Sequence, residues 1–443
     1  MNERDSEIMS QALAGSGYVE TMEMESADLV ILNTCSIRAK AEQKVMSLLG
    51  LLRKQKKRHP EMQVCVAGCV AQQEGEKLVE RMEHVDLVVG TQNIYQIDHL
   101  LEHARKNPGY IAISMEKDYT IPVFLPDQAM GAAYTGKGDS PSIFRKFVTI
   151  MQGCNNFCAY CVVPHTRGRE VSRNVKDIKG EIRVLLESGI KEITLLGQNV
   201  NSYGQTNIVT SDGAPFSFAE LLHEIAHLEG LQRLRFTTSN PKDLSDDLMK
   251  CFRDIPNLCP QFHLPVQAGS DKVLKRMNRK YSIARYLELV EQLREYCPDI
   301  ALSTDIIVGF PGETDKDFEE TMGVLERVRY HGSFSFKYSD RPGTAAEKFN
   351  DKVDENVKKE RLMRFQDRQD EISLDRNREY VGTIREVLVE SASGKALKGR
   401  TVTNHIVHVD DTLGRILRPG DLVDAEIYHA GQHSLKGKLA RMK

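Results

Sequence analysis

The sequence predicts an α/β protein in three parts: an N-terminal doubly wound parallel sheet, a central partial (β/α)6 barrel and a small C-terminal β-barrel. Three observations carry that expectation. Short apolar strands alternate with helical stretches as far as Arg105, the pattern of a parallel sheet covered on both faces. After a glycine-punctuated gap the alternation resumes and delivers six further strands. From Glu379 onward helices give way to short β-rich stretches separated by Gly394, Gly414, Gly420 and Gly431. The expected boundaries are residues 1–125, 140–375 and 376–443.

In the first part a helix is expected at Glu7–Leu13 and a strand at Ala27–Leu32 that runs into Asn33-Thr34-Cys35. A helix follows at Arg38–Arg58, then a strand at Met62–Ala67 that runs into Gly68-Cys69. Ala71–Met82 reads as helix, Asp86–Val89 as strand and Ile94–Arg105 as helix. In open parallel sheets, sites form at the carboxyl ends of strands. Cys35 and Cys69 each fall just past a strand, so the pair is a candidate metal site; Cys65 lies inside its strand and reads as core. The run Arg53–His59 is strongly basic. A helix C-terminus favours such charge through its dipole, and contact with RNA phosphate is the alternative use.

Glu116–Ser142 reads as a linker. The second series of strands is Phe147–Ile150, Glu192–Leu196, Arg233–Thr237, Gln261–Leu264, Ala301–Val308 and Ser333–Lys337. Helices fill the gaps at Lys176–Leu186, Phe218–Leu228, Ile283–Tyr296 and Asp315–Arg329. Polar or glycine clusters follow the strands at Gly197-Gln198-Asn199, Thr238-Ser239-Asn240, Pro265–Ser270 and Gly309–Glu313, which puts the expected chemistry at the C-terminal mouth of the barrel. Asp354–Arg378 reads as a charged, mostly solvated connecting helix. The last part has strands at Gly382–Glu390, Gly399–Thr403, His405–Val409, Leu422–His429 and Ser434–Arg441. From Arg376 onward 12 Lys and Arg face 8 Asp and Glu. Small basic β-barrels often bind RNA through strand faces and loops; a structural cap is the other reading.

The whole 443-residue chain has a formal net charge of −3, so no global basic field marks a nucleic-acid binder, and any RNA contact must come from local patches. No apolar run reaches the roughly 18–20 residues of a membrane span. The stretch Met1–Asp5 is charged and lacks the apolar region of a signal peptide. The chain therefore reads as cytoplasmic, where thiols stay reduced, and its 9 cysteines are better explained by metal ligation plus buried thiols than by disulfides.

The chemistry centres on Gly153-Cys154-Asn155-Asn156-Phe157-Cys158-Ala159-Tyr160-Cys161. Three cysteines at C-x3-C-x2-C spacing bring three thiolates to one small volume. Iron–sulfur clusters usually take four such ligands, so three leave one iron open to a substrate or cofactor. That points to a [4Fe-4S] cluster that chelates S-adenosylmethionine (SAM) and cleaves it to a 5′-deoxyadenosyl radical. A zinc knuckle with His165 as fourth ligand, or unrelated buried thiols, are the competing readings.

The loop continues as Val162-Val163-Pro164-His165-Thr166-Arg167-Gly168-Arg169-Glu170-Val171-Ser172-Arg173. Together with Asn33-Thr34-Cys35, Ala67-Gly68-Cys69, Leu196–Gly204 and Phe336–Thr344, it resembles the radical-SAM methylthiotransferases, and within them the MiaB type that modifies tRNA. The resemblance covers essentially the whole chain and implies a methylthiotransferase domain, a radical-SAM partial barrel and a TRAM domain. It implies conversion of N6-isopentenyladenosine at tRNA position 37 to the 2-methylthio derivative, with two SAM molecules and two [4Fe-4S] clusters. A reducing electron donor, a sulfur source and a monomeric enzyme without membrane contact go with it. The radical cluster falls to Cys154, Cys158 and Cys161. The family's auxiliary cluster uses three cysteines, the first in a Gly-Cys-Gln-Met-Asn motif; this chain starts at Met1-Asn2, directly after that position, and Cys35 and Cys69 match the other two.

For SAM the resemblance points to Tyr160, Gln198 and Asn199, with Ser239, Gln267 and Val308 as further candidates. Arg167, Arg169 and Arg173 are candidates to hold the SAM carboxylate or the tRNA backbone, since guanidinium is the natural clamp for such groups. Salt bridges at the barrel mouth are the alternative. The target base lies in the anticodon loop, where unpaired bases can be splayed out and stacked on aromatics such as Phe336 and Tyr338. The other functions that fit are a methylthiotransferase with another target (threonylcarbamoyl-adenosine tRNA or a ribosomal protein) and a cluster-bearing RNA-binding protein without turnover.

Overall fold

A run of six residues with no exposed position, Gln63–Gly68, forms the middle of the first sheet. In the computed structural model, which describes residues 1–35, 39–123, 144–207, 216–393, 396–410 and 417–442, β1 (Leu29–Thr34), β2 (Gln63–Gly68), β3 (Leu87–Val89) and β4 (Tyr110–Ala112) pair in chain order and all in parallel. Most of the expected linker, Arg38, Gly394 and Gly414 lie outside the described residues. Helices cover both faces, as a parallel sheet requires. On one face α1 (Asn2–Gly15) packs Ile8, Met9 and Leu13 against Cys65, Leu87 and Val89. On the other, α2 (Ala39–Arg58) packs Leu49 and Leu52 against Val64, Val66 and Val88. The connections α3 (Cys69–Glu74), α4 (Glu76–Arg81) and α5 (Ile97–Lys106) complete the doubly wound pattern. These elements belong to the first of two units, Met1–Asp127 with Met151–Asn155 and Val162–Arg173; the second is Gln128–Ile150, Asn156–Cys161 and Asn174–Lys443.

The second unit holds all six expected barrel strands. β5 (Arg145–Thr149), β6 (Glu192–Leu196) and β7 (Arg233–Phe236) form one parallel sheet; β8 (Gln261–His263), β9 (Ala301–Val308) and β10 (Gly332–Lys337) form another. Leu234 of β7 also bridges Leu258, in the segment that leads into β8, and among the described residues no strand ladder joins the two sheets. The covering helices start where the sequence offers caps: α6 (Val175–Glu187) on Asn174, α7 (Phe218–Ala226) on a Ser217–Glu220 capping box, and α8 (Asp246–Asp254) on Ser245. α9 (Asp271–Arg276), α10 (Ile283–Tyr296) and α11 (Asp315–Val328) follow, the last on a Thr314–Asp317 box.

The expected solvated connector is a packed helix. α12 (Glu355–Arg378) buries Lys358, Arg361, Phe365, Gln369 and Ile372. That spacing is one helical face, written largely in polar residues whose aliphatic stems do the packing. Arg361 fixes it by bonding Glu313 at 2.8 Å and Asp315 at 2.7 Å.

β11 (Ile384–Ser393), β12 (Ala396–Thr401), β13 (Ile406–Asp410), β14 (Leu422–Ala430) and β15 (Leu435–Met442) close into a five-stranded barrel around Val387, Val389, Val407, Val409, Val423 and Ile427. This small barrel docks against the N-terminal ends of β5–β7. Arg233 donates to the Arg400 carbonyl at 2.9 Å and to Glu386 at 2.9 Å. Arg235 donates to the carbonyls of Thr401 and Val402 at 2.9 and 2.8 Å and pairs with Glu192 at 3.1 Å. Arg145 reaches Glu390 at 2.8 Å. The register Arg145–Glu192–Arg233 lines these charges up at one level of the sheet. The C-terminal strand ends remain for the site.

Candidate functional site

The cysteine loop is gripped by its backbone. Gly153 sits at φ +80°, and a Cβ there would lie 2.0 Å from the Arg169 carbonyl, so only glycine lets the chain enter this way. The Cys154 amide donates to the Gly168 carbonyl at 3.2 Å. In the second unit the Ala159 amide donates to the Met277 carbonyl at 2.9 Å, and the Ala346 amide to the Ala159 carbonyl at 2.8 Å. The Asn278 side chain donates to the Phe157 carbonyl at 2.8 Å. Phe157 itself has φ +47° and is exposed, a strained position held by these bonds. The Cys161 amide closes a turn on the Cys158 carbonyl at 3.0 Å.

Cys154 belongs to the first unit, Cys158 and Cys161 to the second, and all three side chains are partly exposed. Among the described residues no three His, Cys, Asp or Glu side chains form a metal-holding group. The loop fits a cluster by its donor set and accessibility: soft sulfur ligands outside the core, one of which, Cys158, receives a guanidinium bond from Arg279 at 3.3 Å. Tyr160 packs beside them among Ala159, Val273 and Phe310, and burial pushes its hydroxyl well above the usual tyrosine range. His165 is exposed.

Cys35 and Cys69 meet the geometric expectation. Thr34 pairs with Gly68 at the end of β1 and β2, so the two cysteines are the next residues on neighbouring parallel strands. Gly68 has φ +93°, and a Cβ there would fall 2.4 Å from the Thr34 carbonyl. Thr34 spends its hydroxyl on the Ala67 carbonyl at 2.6 Å and accepts from the Val70 amide at 3.1 Å, which ties the two ends together. Cys65 is core: it is fully buried on β2, and burial pushes its thiol up.

The arginines divide. Arg167 is buried; its guanidinium is taken up by Asp5 and by the Cys69 thiol, so it stands beside Cys69 as an ion pair within the fold, the alternative given for it above. Arg173 is also buried, and Arg169 is exposed. In the basic run, Lys56 pairs with Asp86, while Arg53, Lys54, Lys57 and Arg58 are exposed.

The candidates for SAM cluster at strand ends. Asn199, just past β6, donates to Asp243 at 2.7 Å and to Ser202 at 2.9 Å, while its buried carbonyl oxygen has no hydrogen-bond partner among the described residues. The buried Ser239 hydroxyl, past β7, has none there either. Gln267, past β8, has φ +73°, and Thr238 has the same φ past β7. Orphaned buried polar atoms and left-handed backbone at adjacent strand ends fit a polar cofactor that completes them. Gln198 is the second residue past β6, and Val308 is buried at the end of β9.

Two features had no place in the sequence reading. Arg279 is one. The other is a cluster on paired strands: His263 faces Ser303 at 3.0 Å and Asp305 at 3.4 Å, with the exposed Phe334 ring 6.0 Å from the imidazole. Register puts Asp305 beside Phe334 and His263 beside Ser303, so alternation on β8–β10 was the signal that could have found them. Tyr338 is buried and bonds Asp340 at 2.8 Å, and Phe336 lies partly exposed on β10.

Residues 148–325 match the Radical SAM superfamily, and residues 1–90 match an uncharacterized protein family, UPF0004. The tRNA-2-methylthio-N(6)-dimethylallyladenosine synthase of Desulfotalea psychrophila is 64% identical over 99% of this chain and 96% of its own. The chain belongs to the tRNA-2-methylthio-N(6)-dimethylallyladenosine synthase family. The synthase of Syntrophobacter fumaroxidans is 47% identical over 99% of this chain and 93% of its own. The radical S-adenosylmethionine methyltransferase TsrM from Kitasatospora setae, solved with cobalamin and a [4Fe-4S] cluster, shares the fold at TM-score 0.54, with 14% identity over 78% of this chain and 71% of that one. As a member of the synthase family the chain is a radical-SAM enzyme that uses [4Fe-4S] clusters and SAM, which removes the zinc-knuckle reading of the loop. No helix among the described residues is long and apolar enough to cross a membrane.

Proposed function

We propose that this enzyme converts N6-isopentenyladenosine at position 37 of tRNA to 2-methylthio-N6-isopentenyladenosine in the cytoplasm. The observation that carries the reading is identity at 64% along nearly the whole chain to a synthase of that name. Cys154, Cys158 and Cys161 would hold the radical cluster, and Cys35 and Cys69, in register at two strand ends, would contribute to the auxiliary cluster. When bound, the radical cluster and SAM supply a 5′-deoxyadenosyl radical, and the auxiliary cluster holds the sulfur that a second SAM methylates. The chain's own residues position and enclose. Asn199, Ser239 and Gln267 present polar atoms and strained backbone to SAM, with Gln198, Val308 and Tyr160 beside them.

Arg169, exposed after the loop, is the arginine available to RNA phosphate, with the α2 tail as a second patch. The wall of Phe334 and His263 offers an aromatic edge and a polar edge to an unpaired base of the anticodon loop. An external reductant and a sulfur source complete the requirements, and a monomer suffices for them. The test is anaerobic incubation of the reconstituted chain with SAM, reductant and isopentenylated tRNA. Mass spectrometry of the digested tRNA should show the methylthio nucleoside; its absence while 5′-deoxyadenosine forms would reject the substrate.

A further inference from the structure

Arg279 is bonded along three of its edges. Nη1 donates to Cys158 Sγ at 3.3 Å, Nη2 to the Pro265 carbonyl at 3.0 Å and Nε to the Tyr281 hydroxyl at 2.9 Å. Tyr281 in turn donates to the Val266 carbonyl at 2.9 Å, and its ring lies 5.1 Å from the guanidinium carbon. The guanidinium is thus pinned to the chain just past β8. The same turn grips the loop from below, through the Met277 carbonyl and the Asn278 side chain.

One feature of this arrangement is unfinished. Arg279 carries a charge that no carboxylate meets among the described residues; its neighbours are carbonyls, tyrosine hydroxyls and a thiol. A cation withdrawn from water is costly unless an anion stands against it. Of the groups it touches, the thiol of Cys158 is the one that becomes an anion on binding iron. We infer that Arg279 is a positioning residue for the radical cluster: it holds the Cys158 sulfur and, by donating to it, raises the potential at which a cluster bound there accepts an electron. The inference rests on the reading that Cys158 is a ligand. The sign follows from charge. An added electron makes the cluster more negative, so a positive donor on a ligand sulfur favours the reduced form more than the oxidised one. The two carbonyl and tyrosine anchors keep the donor at the sulfur in both states.

The test uses the full chain in a Cys69→Ser background, so that the radical cluster dominates, reconstituted anaerobically with iron counted. Reduction is followed by electron paramagnetic resonance at set potentials, with and without SAM. Arg279→Met should leave the iron count intact and lower the ratio of reduced to oxidised cluster about tenfold at a fixed potential, a shift of about 59 mV to more negative values. Arg279→Lys, which keeps the charge but not the fork, should shift less in the same direction. An unchanged midpoint in Arg279→Met at full iron would overturn the inference. If that variant fails to hold iron, Arg279→Gln, which removes the charge but keeps an N–H donor, takes its place, and an unchanged midpoint there overturns the inference. Failure of the ligand reading is a separate outcome: Cys158→Ala would then keep the full iron count and a SAM-responsive signal.

Discussion

Gly68→Ala tests whether the end of β2 is shaped to bring Cys35 and Cys69 side by side. Gly68 has φ +93° and ψ −156°, a region open essentially to glycine, and an alanine held there costs about 1–3 kcal/mol in backbone strain. The new Cβ would also sit 2.4 Å from the Thr34 carbonyl and 2.6 Å from Asn33 Oδ1. Neither can retreat cheaply: Thr34 is bonded to Ala67 and Val70, and Asn33 to the Asn2 carbonyl and Ser6. Parting β1 from β2 adds about 1–3 kcal/mol, as overpacking does elsewhere. Gly17→Ala is the control, since Gly17 has φ +86° with open space around it, and it should cost only about 1 kcal/mol. Urea unfolding of the two variants should therefore differ by about 1 kcal/mol or more. Gly68→Ala should form 5′-deoxyadenosine but lose methylthio product, whereas Gly17→Ala keeps both. Equal unfolding midpoints and full product from Gly68→Ala would refute the argument that this close approach sets the cysteine pair.

Three further perturbations have defined outcomes. Cys158→Ala should abolish SAM cleavage to 5′-deoxyadenosine, whereas Cys69→Ser should keep cleavage and lose methylthio product, both read by chromatography and mass spectrometry of one reaction. Arg235→Met removes the nearer of the two arginine partners of the buried Glu192 and strands the carbonyls of Thr401 and Val402, so urea unfolding should report a loss of about 3 kcal/mol. The His331 and His405 rings meet at 5.5 Å, and burial lowers them to about 3 and about 4, with Arg376, Arg294 and Arg385 adding to the effect. Because the fold keeps both neutral while the unfolded chain protonates them below about pH 6.5, stability is complete above that pH. It should fall as pH drops towards about 4, by at most about 1.4 kcal/mol per unit for each imidazole, and His405→Gln should flatten the slope.

The barrel strands and the small β-barrel were legible because each strand carries its own signal: a mostly apolar stretch for β6, and alternation along β13. The placement of Cys35 and Cys69 at the ends of β1 and β2 was legible because each follows its own apolar strand, without any knowledge of the partner strand. Arg167 was misleading for the converse reason. Its local setting, after a cysteine loop and among other arginines, suggests a clamp for anions, but its partner is Asp5, 162 positions away. Arg279 lacked even that much: nothing in Met277-Asn278-Arg279 says that the turn folds under Cys158. The α12 face was hidden because Lys358 and Arg361 count as solvated in any local reading, while in the fold their stems are buried and their heads paired.

The two ends of the β5–β7 sheet use buried polar groups in opposite ways. At the N-terminal ends the charges of Arg145, Glu192, Arg233 and Arg235 are paired with one another and with the small barrel, including three backbone carbonyls at Arg400, Thr401 and Val402, and only the Nε atoms of the two buried arginines go without a hydrogen bond there among the described residues. At the C-terminal ends Asn199 and Ser239 keep buried oxygens that lack partners among the described residues, and Thr238 has left-handed backbone. The difference cannot come from composition, since both ends are polar and both are buried. It is what a barrel enzyme requires: satisfied charge where the fold must be rigid, and unsatisfied hydrogen-bonding capacity where a ligand must supply the missing half. On this argument, substitutions that satisfy Asn199 or Ser239 internally should stabilise the protein and weaken SAM binding together, whereas substitutions at Arg233 or Arg235 should destabilise it without changing the affinity of what remains folded. Calorimetric titration of SAM alongside urea unfolding separates the two, and a stabilising Ser239→Ala that binds SAM as tightly as the parent would remove the basis for the distinction.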